Sequence, residues 1–140
     1  MRESEIVSMI SRKLVPYILL FGLYLISFGH LSPGGGFQGG VVLASGIIVL
    51  ALSRGTSSVQ RIFPQEKLNL TEIAMLFAFI AMGIGGLFTG QYFLGNFLWL
   101  GKAGEIPSAG FIFFLNIIIG LKVGAGMILI CFYLLREGER

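Results

Sequence analysis

Four long apolar stretches decide what this 140-residue chain can fold into. They cover approximately residues 14–28, 37–53, 70–94 and 110–135. Each approaches the roughly 20 residues that a helix needs to cross about 30 Å of hydrocarbon. With 55% hydrophobic and 12% charged residues, so short a chain cannot hide its apolar surface in a water-soluble domain. The runs are continuously apolar rather than alternating, which excludes a barrel. The sequence therefore predicts an all-α, polytopic membrane protein, with four transmembrane helices forming one domain over residues 1–140.

The distribution of Lys and Arg predicts the orientation of these helices. An even number of spans places the N-terminus, the 54–69 loop and the C-terminus on the same side of the membrane. That side carries eight basic residues: Arg2, Arg12, Lys13, Arg54, Arg61, Lys67, Arg136 and Arg140. The other side carries Lys102 alone. Basic loops stay in the cytoplasm, so we expect a multi-pass protein of the cell membrane with both termini cytoplasmic. No basic stripe with interleaved aromatic residues indicates nucleic-acid binding.

A glycine-rich segment separates the first two apolar stretches. Residues 29–40 read GHLSPGGGFQGG, and a proline followed by three glycines cannot continue a helix. We expect an irregular loop here, formed by Pro33, Gly34, Gly35, Gly36, Gly39 and Gly40. Lipid cannot satisfy irregular backbone, so the loop must be covered by protein or line a wet cavity. It is either a tight connection that allows close helix contact or a loop beside an ion route.

Lys122 is the residue least suited to lipid, since it lies near the middle of the fourth apolar stretch. A charge at that depth costs several kcal/mol unless it is paired or solvated. The sequence indicates no acidic partner at this depth, because its seven carboxylates are near chain ends or membrane surfaces. Lys122 is therefore interpreted either as one half of an inter-subunit ion pair or as a titrating group on a proton or cation path. Asn116, six residues earlier, is a weaker candidate for the same path and does not share its face cleanly.

The single histidine, His30, has two interpretations. It caps the first helix or bonds to loop backbone, or it changes charge near neutral pH and takes part in proton or cation passage. Without a second histidine or a Cys or Asp neighbour it is not a metal site. Glu72 is interpreted as the last residue of a capping box that begins at Asn69, with an interfacial ion pair as the alternative.

Small residues at helical spacing predict the packing faces. Gly86 and Gly90 in the third stretch, and Gly120 and Gly124 in the fourth, form Gly-x-x-x-Gly pairs. We expect these faces to bring helices close together, within the chain or against partner subunits.

No catalytic machinery is evident. The sequence has no nucleophile–base pair, no second histidine and only Cys131 as a possible thiolate ligand. We therefore expect no catalytic residues and no cofactor in this chain. Whether the assembly that contains it is an enzyme stays open.

The glycine-rich segment also carries a family resemblance. Gly29-His30-x-x-Pro33-Gly34-Gly35-Gly36-Phe37-x-Gly39-Gly40, set between two short spans, resembles the signature of the MnhB/MrpB family, the B subunits of multisubunit Na⁺/H⁺ antiporters. Chain length and four-helix layout match over essentially the whole chain.

The resemblance implies that the chain is one subunit of a larger membrane complex. Such proteins assemble with large antiporter-like subunits related to the pumping subunits of respiratory complex I. The same module occurs in membrane-bound hydrogenases and sulfur-reducing complexes, with hydrogenase-type peripheral subunits as further partners. The expected function is a non-catalytic subunit that contributes to a Na⁺ or H⁺ route. The alternative is a purely structural scaffold for the larger pumping subunits, and a small homo-oligomeric channel ranks last.

Overall fold

The computed structural model describes residues 5–31, 33–90, 92–96, 98 and 110–138. The regular secondary structure of these residues is entirely helical, so the all-α prediction is confirmed. The helices are α1 (Glu5–Phe28), α2 (Gly36–Arg54), α3 (Thr56–Ile62), α4 (Gln65–Phe88) and α5 (Phe111–Gly138). All but α3 are long and apolar enough to span a membrane. Three residues used in the charge count, Arg2, Lys102 and Arg140, lie outside the described residues.

The third predicted span is displaced in the structure. The sequence predicts a helix over 70–94, whereas α4 begins at Gln65 and ends at Phe88. The start was missed because its first turns are polar (Gln-Glu-Lys-Leu-Asn), although Pro64 immediately precedes them. The end was missed because residues 92–95 are apolar yet fold back onto the helix. The Leu94 N–H donates to the Gly83 carbonyl at 3.2 Å, which closes this turn.

The short helix α3 was not predicted and completes the side-chain core. Its Val59 is fully buried, as is Phe132 of α5. Both belong to one cluster that joins α2, α3, α4 and α5. The cluster comprises Ala44, Ile47, Ala51, Val59, Leu68, Ala125, Ile128, Leu129 and Phe132. This cluster packs α2, α3, α4 and α5 together at the end of the protein where α3 connects α2 to α4.

The predicted irregular loop is shorter than expected. Among the six predicted loop residues, only Gly34 and Gly35 have positive φ angles, of 153° and 147°, which favour glycine. Gly36, Gly39 and Gly40 instead belong to α2 and are buried. Their prediction as loop residues is wrong, because the missing Cβ serves helix packing rather than an unusual backbone conformation. The predicted end of the first helix at Phe28 is confirmed.

The membrane helices do not form a symmetric bundle. The helices α1, α2 and α5 pack on one another, and α4 attaches chiefly through α5. As a result, only 11% of the most apolar part of α4 is buried inside the chain. One membrane helix is thus left almost entirely to lipid or to other subunits.

Candidate functional site

The polar centre of the protein is an ion pair between α4 and α5. The ammonium Nζ of Lys122 lies 3.5 Å from the Glu72 carboxylate Oε1. The expectation that Lys122 has no acidic partner in its own chain is therefore wrong. Glu72 was placed at a membrane surface because α4 was predicted to begin at residue 70. With α4 starting at Gln65, Glu72 lies seven residues inside the helix, about 10 Å along its axis.

The depth of the pair follows from the position of Lys122 in α5. Lys122 lies 11 residues after Phe111 and 14 residues before Arg136, the bounds of the apolar segment. At 1.5 Å per residue these separations are about 16 and 21 Å. The hydrocarbon core is about 30 Å thick, so the ion pair lies within it.

The same shift in α4 removes the capping interpretation of Glu72. The residue before α4 is Pro64, which makes no side-chain capping hydrogen bond. Asn69 lies four residues inside α4 and is exposed. The ion-pair alternative agrees with the structure in that Glu72 pairs with Lys122, but the pair lies inside the apolar part of the helices rather than at a membrane surface.

The surroundings of the pair are open on one side. The side chains of Lys122 and Glu72 are 35% and 38% exposed. Gly126, one turn after Lys122, leaves room for the carboxylate, since a Cβ there would lie 3.5 Å from Glu72 Oε1. The pair therefore lies between α4 and α5, with about a third of each side chain exposed.

Asn116 lies in a different place and has a structural partner. Its Oδ1 accepts a hydrogen bond of 3.3 Å from the Gly36 N–H, at the first residue of α2. A Cβ on Gly36 would collide with the Asn116 backbone, so only glycine allows this approach. Asn116 thus caps α2 from the neighbouring helix, because the first N–H groups of a helix lack partners within it.

His30 lies near the same end of the protein. Its ring makes an edge-on contact with Phe113, with 5.9 Å between ring centroids. Both ring nitrogens are buried, and neither has a hydrogen-bond partner in the part of the chain that the structure describes. The backbone-bonding interpretation therefore has no support among these residues. The structure places His30 and Asn116 near the glycine-rich connection and Lys122 on the α4 side of α5.

Two of the four predicted packing glycines lie in the tightest helix contact. A Cβ on Gly40 of α2 would lie 2.5 Å from the Gly120 carbonyl oxygen and 3.1 Å from the Gly124 nitrogen. A Cβ on Gly120 would meet Ile26 of α1 at 2.6 Å. Gly40 and Gly120 therefore set how closely α1, α2 and α5 approach, whereas a Cβ on Gly124 would have its nearest neighbour at 3.4 Å.

The other predicted pair does not form a helix-packing face. Gly86 packs against the returning segment, with the Tyr92 carbonyl 2.8 Å from where a Cβ would lie. Gly90 lies beyond the end of α4, has a φ of 75° and has nothing within 4 Å of a Cβ position. The prediction is wrong because the helix ends between the two glycines.

No group of three or more His, Cys, Asp or Glu residues that could hold a metal ion occurs among the described residues. The chemistry that the site offers is that of one carboxylate, one ammonium and one imidazole. All three groups can exchange protons, and the carboxylate can also hold a monovalent cation. The structure does not gather the three into a single centre.

Comparison with known proteins gives the family. Residues 6–129 match the family described as a domain related to the MnhB subunit of Na⁺/H⁺ antiporter. The chain belongs to the MnhB family. A putative antiporter subunit mnhB2 of Staphylococcus aureus (strain Newman) is 37% identical over 97 residues, which are 66% of this chain and 69% of that protein. A Na⁺/H⁺ antiporter subunit of the B type from Bacillus subtilis (strain 168) is 33% identical over 94 residues.

Two relatives of this MnhB-family chain are longer. An uncharacterized protein of Methanocaldococcus jannaschii is 34% identical over 116 residues, which are 79% of this chain and 44% of that protein. Among solved structures, a chain of the membrane-bound sulfane sulfur reductase, an archaeal respiratory membrane complex, has a TM-score of 0.74 and 30% identity. It matches 95% of the present chain, which spans 59% of that one. The chain also spans 65% of the Bacillus subtilis protein.

Sequence reasoning missed Glu72 as the partner of Lys122. A usable signal was present, because Glu72 follows Leu68 and Leu70 and precedes 29 residues without a charge, up to Lys102. A carboxylate inside an apolar run is costly for the same reason as a lysine. Pairing the two intramembrane charges would have identified the contact.

Proposed function

We propose that this MnhB-family chain is a non-catalytic membrane subunit of a multisubunit cation/proton antiporter module, and that its Glu72–Lys122 pair lies beside the Na⁺ or H⁺ route. The observation that carries the second part is the Glu72–Lys122 contact of 3.5 Å between two helices of membrane-spanning length, with about a third of each charged side chain exposed. Ionisable residues inside a membrane usually mark ion pathways. His30 and the connection around Gly34 and Gly35 shape the outer end of this route.

The wider setting is also part of the proposal. Large complex-I-like pumping subunits are the expected neighbours. The match to a chain of a respiratory membrane complex over 95% of the present chain supports a redox-driven assembly, with hydrogenase-type peripheral subunits, as one setting. The similarity to antiporter proteins of the MnhB family supports a free-standing antiporter as the other. In either, both termini face the cytoplasm, as the basic residues Arg12, Lys13, Arg54 and Arg61 indicate.

A competing function is a scaffold that holds pumping subunits together. The observation that favours it is the Glu72–Lys122 contact itself. An ion pair within one chain also holds α4 and α5 together, which is a purely structural role. The two functions differ in whether transport through an assembled complex needs the charges.

The experiment is sodium-dependent proton transport in membrane vesicles that carry the whole complex. Wild type is compared with Lys122→Met and with the matched control Lys67→Met, which removes an exposed lysine from the first turn of α4. Transport per assembled complex should collapse with Lys122→Met and persist with Lys67→Met. Equal transport per assembled complex in both variants would exclude a role on the route and favour the scaffold.

A further inference from the structure

The open side of the Glu72–Lys122 pair identifies a surface for a partner. We propose that one edge of α4, formed by Glu72, Ile73, Leu76 and Ile80 and here called the α4 edge, docks a transmembrane helix of a neighbouring subunit. That helix presents a hydroxyl or carboxamide side chain level with the ion pair. This inference rests on the proposed membership in a multisubunit membrane complex and adds the place and the chemistry of one contact.

The need for a polar cover comes from the exposure of the pair. Each charged side chain is more than a third exposed at a depth where the surroundings are hydrocarbon. Lys122 contacts Glu72 through one oxygen at 3.5 Å, so the second carboxylate oxygen and the remaining ammonium hydrogens need other partners. Lipid tails offer none, and an unsatisfied polar group in an apolar medium costs several kcal/mol. A surface of this kind is not suited to face lipid.

The chemistry of the partner follows from the charge of the pair. A carboxylate and an ammonium are together neutral, so a third full charge would leave a net charge in the membrane. A hydroxyl or carboxamide both donates and accepts hydrogen bonds, and it serves the free carboxylate oxygen and the free ammonium hydrogens without adding charge. Hydrogen bonds of this type link transmembrane helices.

The position of the docking surface follows from the helix period. Residues four and eight positions after Glu72 lie on the same side of the helix as Glu72, and these are Leu76 and Ile80, which are 44% and 41% exposed. Ile73 beside them is 53% exposed. In the part of the chain that the structure describes, this row is about half exposed, since α4 attaches chiefly through α5. Ala74 and Ala81 are exposed too, but they point away from the Glu72 row and have no ion pair beside them.

The test is photo-cross-linking in the complete complex within native membranes. The photoreactive residue p-benzoylphenylalanine replaces Leu76 or Ile80 on the α4 edge, and Ala74 or Ala81 as matched controls on the same helix. We expect adducts with another subunit at Leu76 and Ile80, several-fold more abundant than at the controls. Mass spectrometry should place the adduct within one helical turn of a Ser, Thr, Asn or Gln in a membrane segment of that subunit.

Four results would overturn the inference. They are adducts with lipid alone at the α4 edge, equal adducts at edge and control positions, adducts with a second copy of this chain, and an adduct site without a hydroxyl or carboxamide nearby. If replacing Leu76 prevents assembly, Ile80 and Ile73 provide the same test.

Failure of this inference and failure of the proposed function are distinguishable. Sodium-dependent proton transport is measured on the same membranes with the Glu72→Leu/Lys122→Met double variant. Lipid-only adducts together with lost transport would reject the docking surface and retain the ion route. Specific adducts together with preserved transport would retain the docking surface and reject the route.

Discussion

Removing both charges of the Glu72–Lys122 pair is expected to harm assembly less than removing either one. The variants are Lys122→Met, Glu72→Leu and the double variant. A single replacement leaves an uncompensated charge in the hydrocarbon layer, whereas the double replacement leaves two apolar side chains. Replacing a whole buried ion pair by apolar residues is often neutral, but removing one partner is strongly destabilising.

The magnitude follows from the geometry of the pair. At the observed 3.5 Å and an effective dielectric constant of about 20, Coulomb's law gives an attraction of about 5 kcal/mol. Desolvation of the two ions offsets much of this, and the pair is partly open, so we expect each single variant to lose about 2–3 kcal/mol of folding free energy. That corresponds to a roughly 30- to 150-fold change in the equilibrium constant. The double variant should stay within about 1 kcal/mol of wild type.

The assay measures two quantities on the same vesicles. One is the amount of this subunit retained in the complex after purification, and the other is sodium-dependent proton transport per assembled complex. Retention should fall in both single variants and recover in the double variant. Transport should remain lost in the double variant, because the groups that carry or guide the ion are gone.

Either of two outcomes would refute this reasoning. If the double variant loses as much retention as the two single variants combined, the two side chains do not stabilise each other in the assembled protein. If the double variant recovers transport as well as retention, the pair only holds α4 and α5 together and the Na⁺ or H⁺ route lies elsewhere.

Four further substitutions test the packing of α2 and the glycine-rich connection. Gly40→Ala should lower the free energy of unfolding by about 1–3 kcal/mol through overpacking, which is measured as lower thermal stability of the complex. Gly124→Ala is the control and should lower it clearly less, because a Cβ there would have its nearest neighbour at 3.4 Å. Asn116→Ala should cost about 1 kcal/mol, as other lost helix caps do, because it removes the acceptor of the Gly36 N–H; an unchanged melting temperature would contradict this. His30→Phe should leave assembly intact, since neither ring nitrogen has a hydrogen-bond partner in the described residues. Loss of this chain from the purified complex would contradict this expectation.

The presence and number of the membrane helices were accessible from sequence because hydropathy is a local property. A run such as residues 110–135 cannot remain in water whatever the rest of the chain does. The glycine-rich connection was accessible for the same reason, since a proline followed by glycines ends α1 without help from tertiary contacts. Family membership was also accessible, because the same residues resemble the family's signature, and the match over residues 6–129 confirms it.

The sequence by itself also determined that Lys122 needs a partner, since an unpaired charge deep in hydrocarbon is costly in any arrangement of the helices. Only the tertiary structure decided that the partner is Glu72. That contact depends on where α4 begins and how α4 lies against α5, and neither follows from hydropathy. The same holds for Gly40, whose role is to let α2 touch Gly120 of α5. Local composition fixes which segments enter the membrane, whereas long-range packing fixes which side chains meet there.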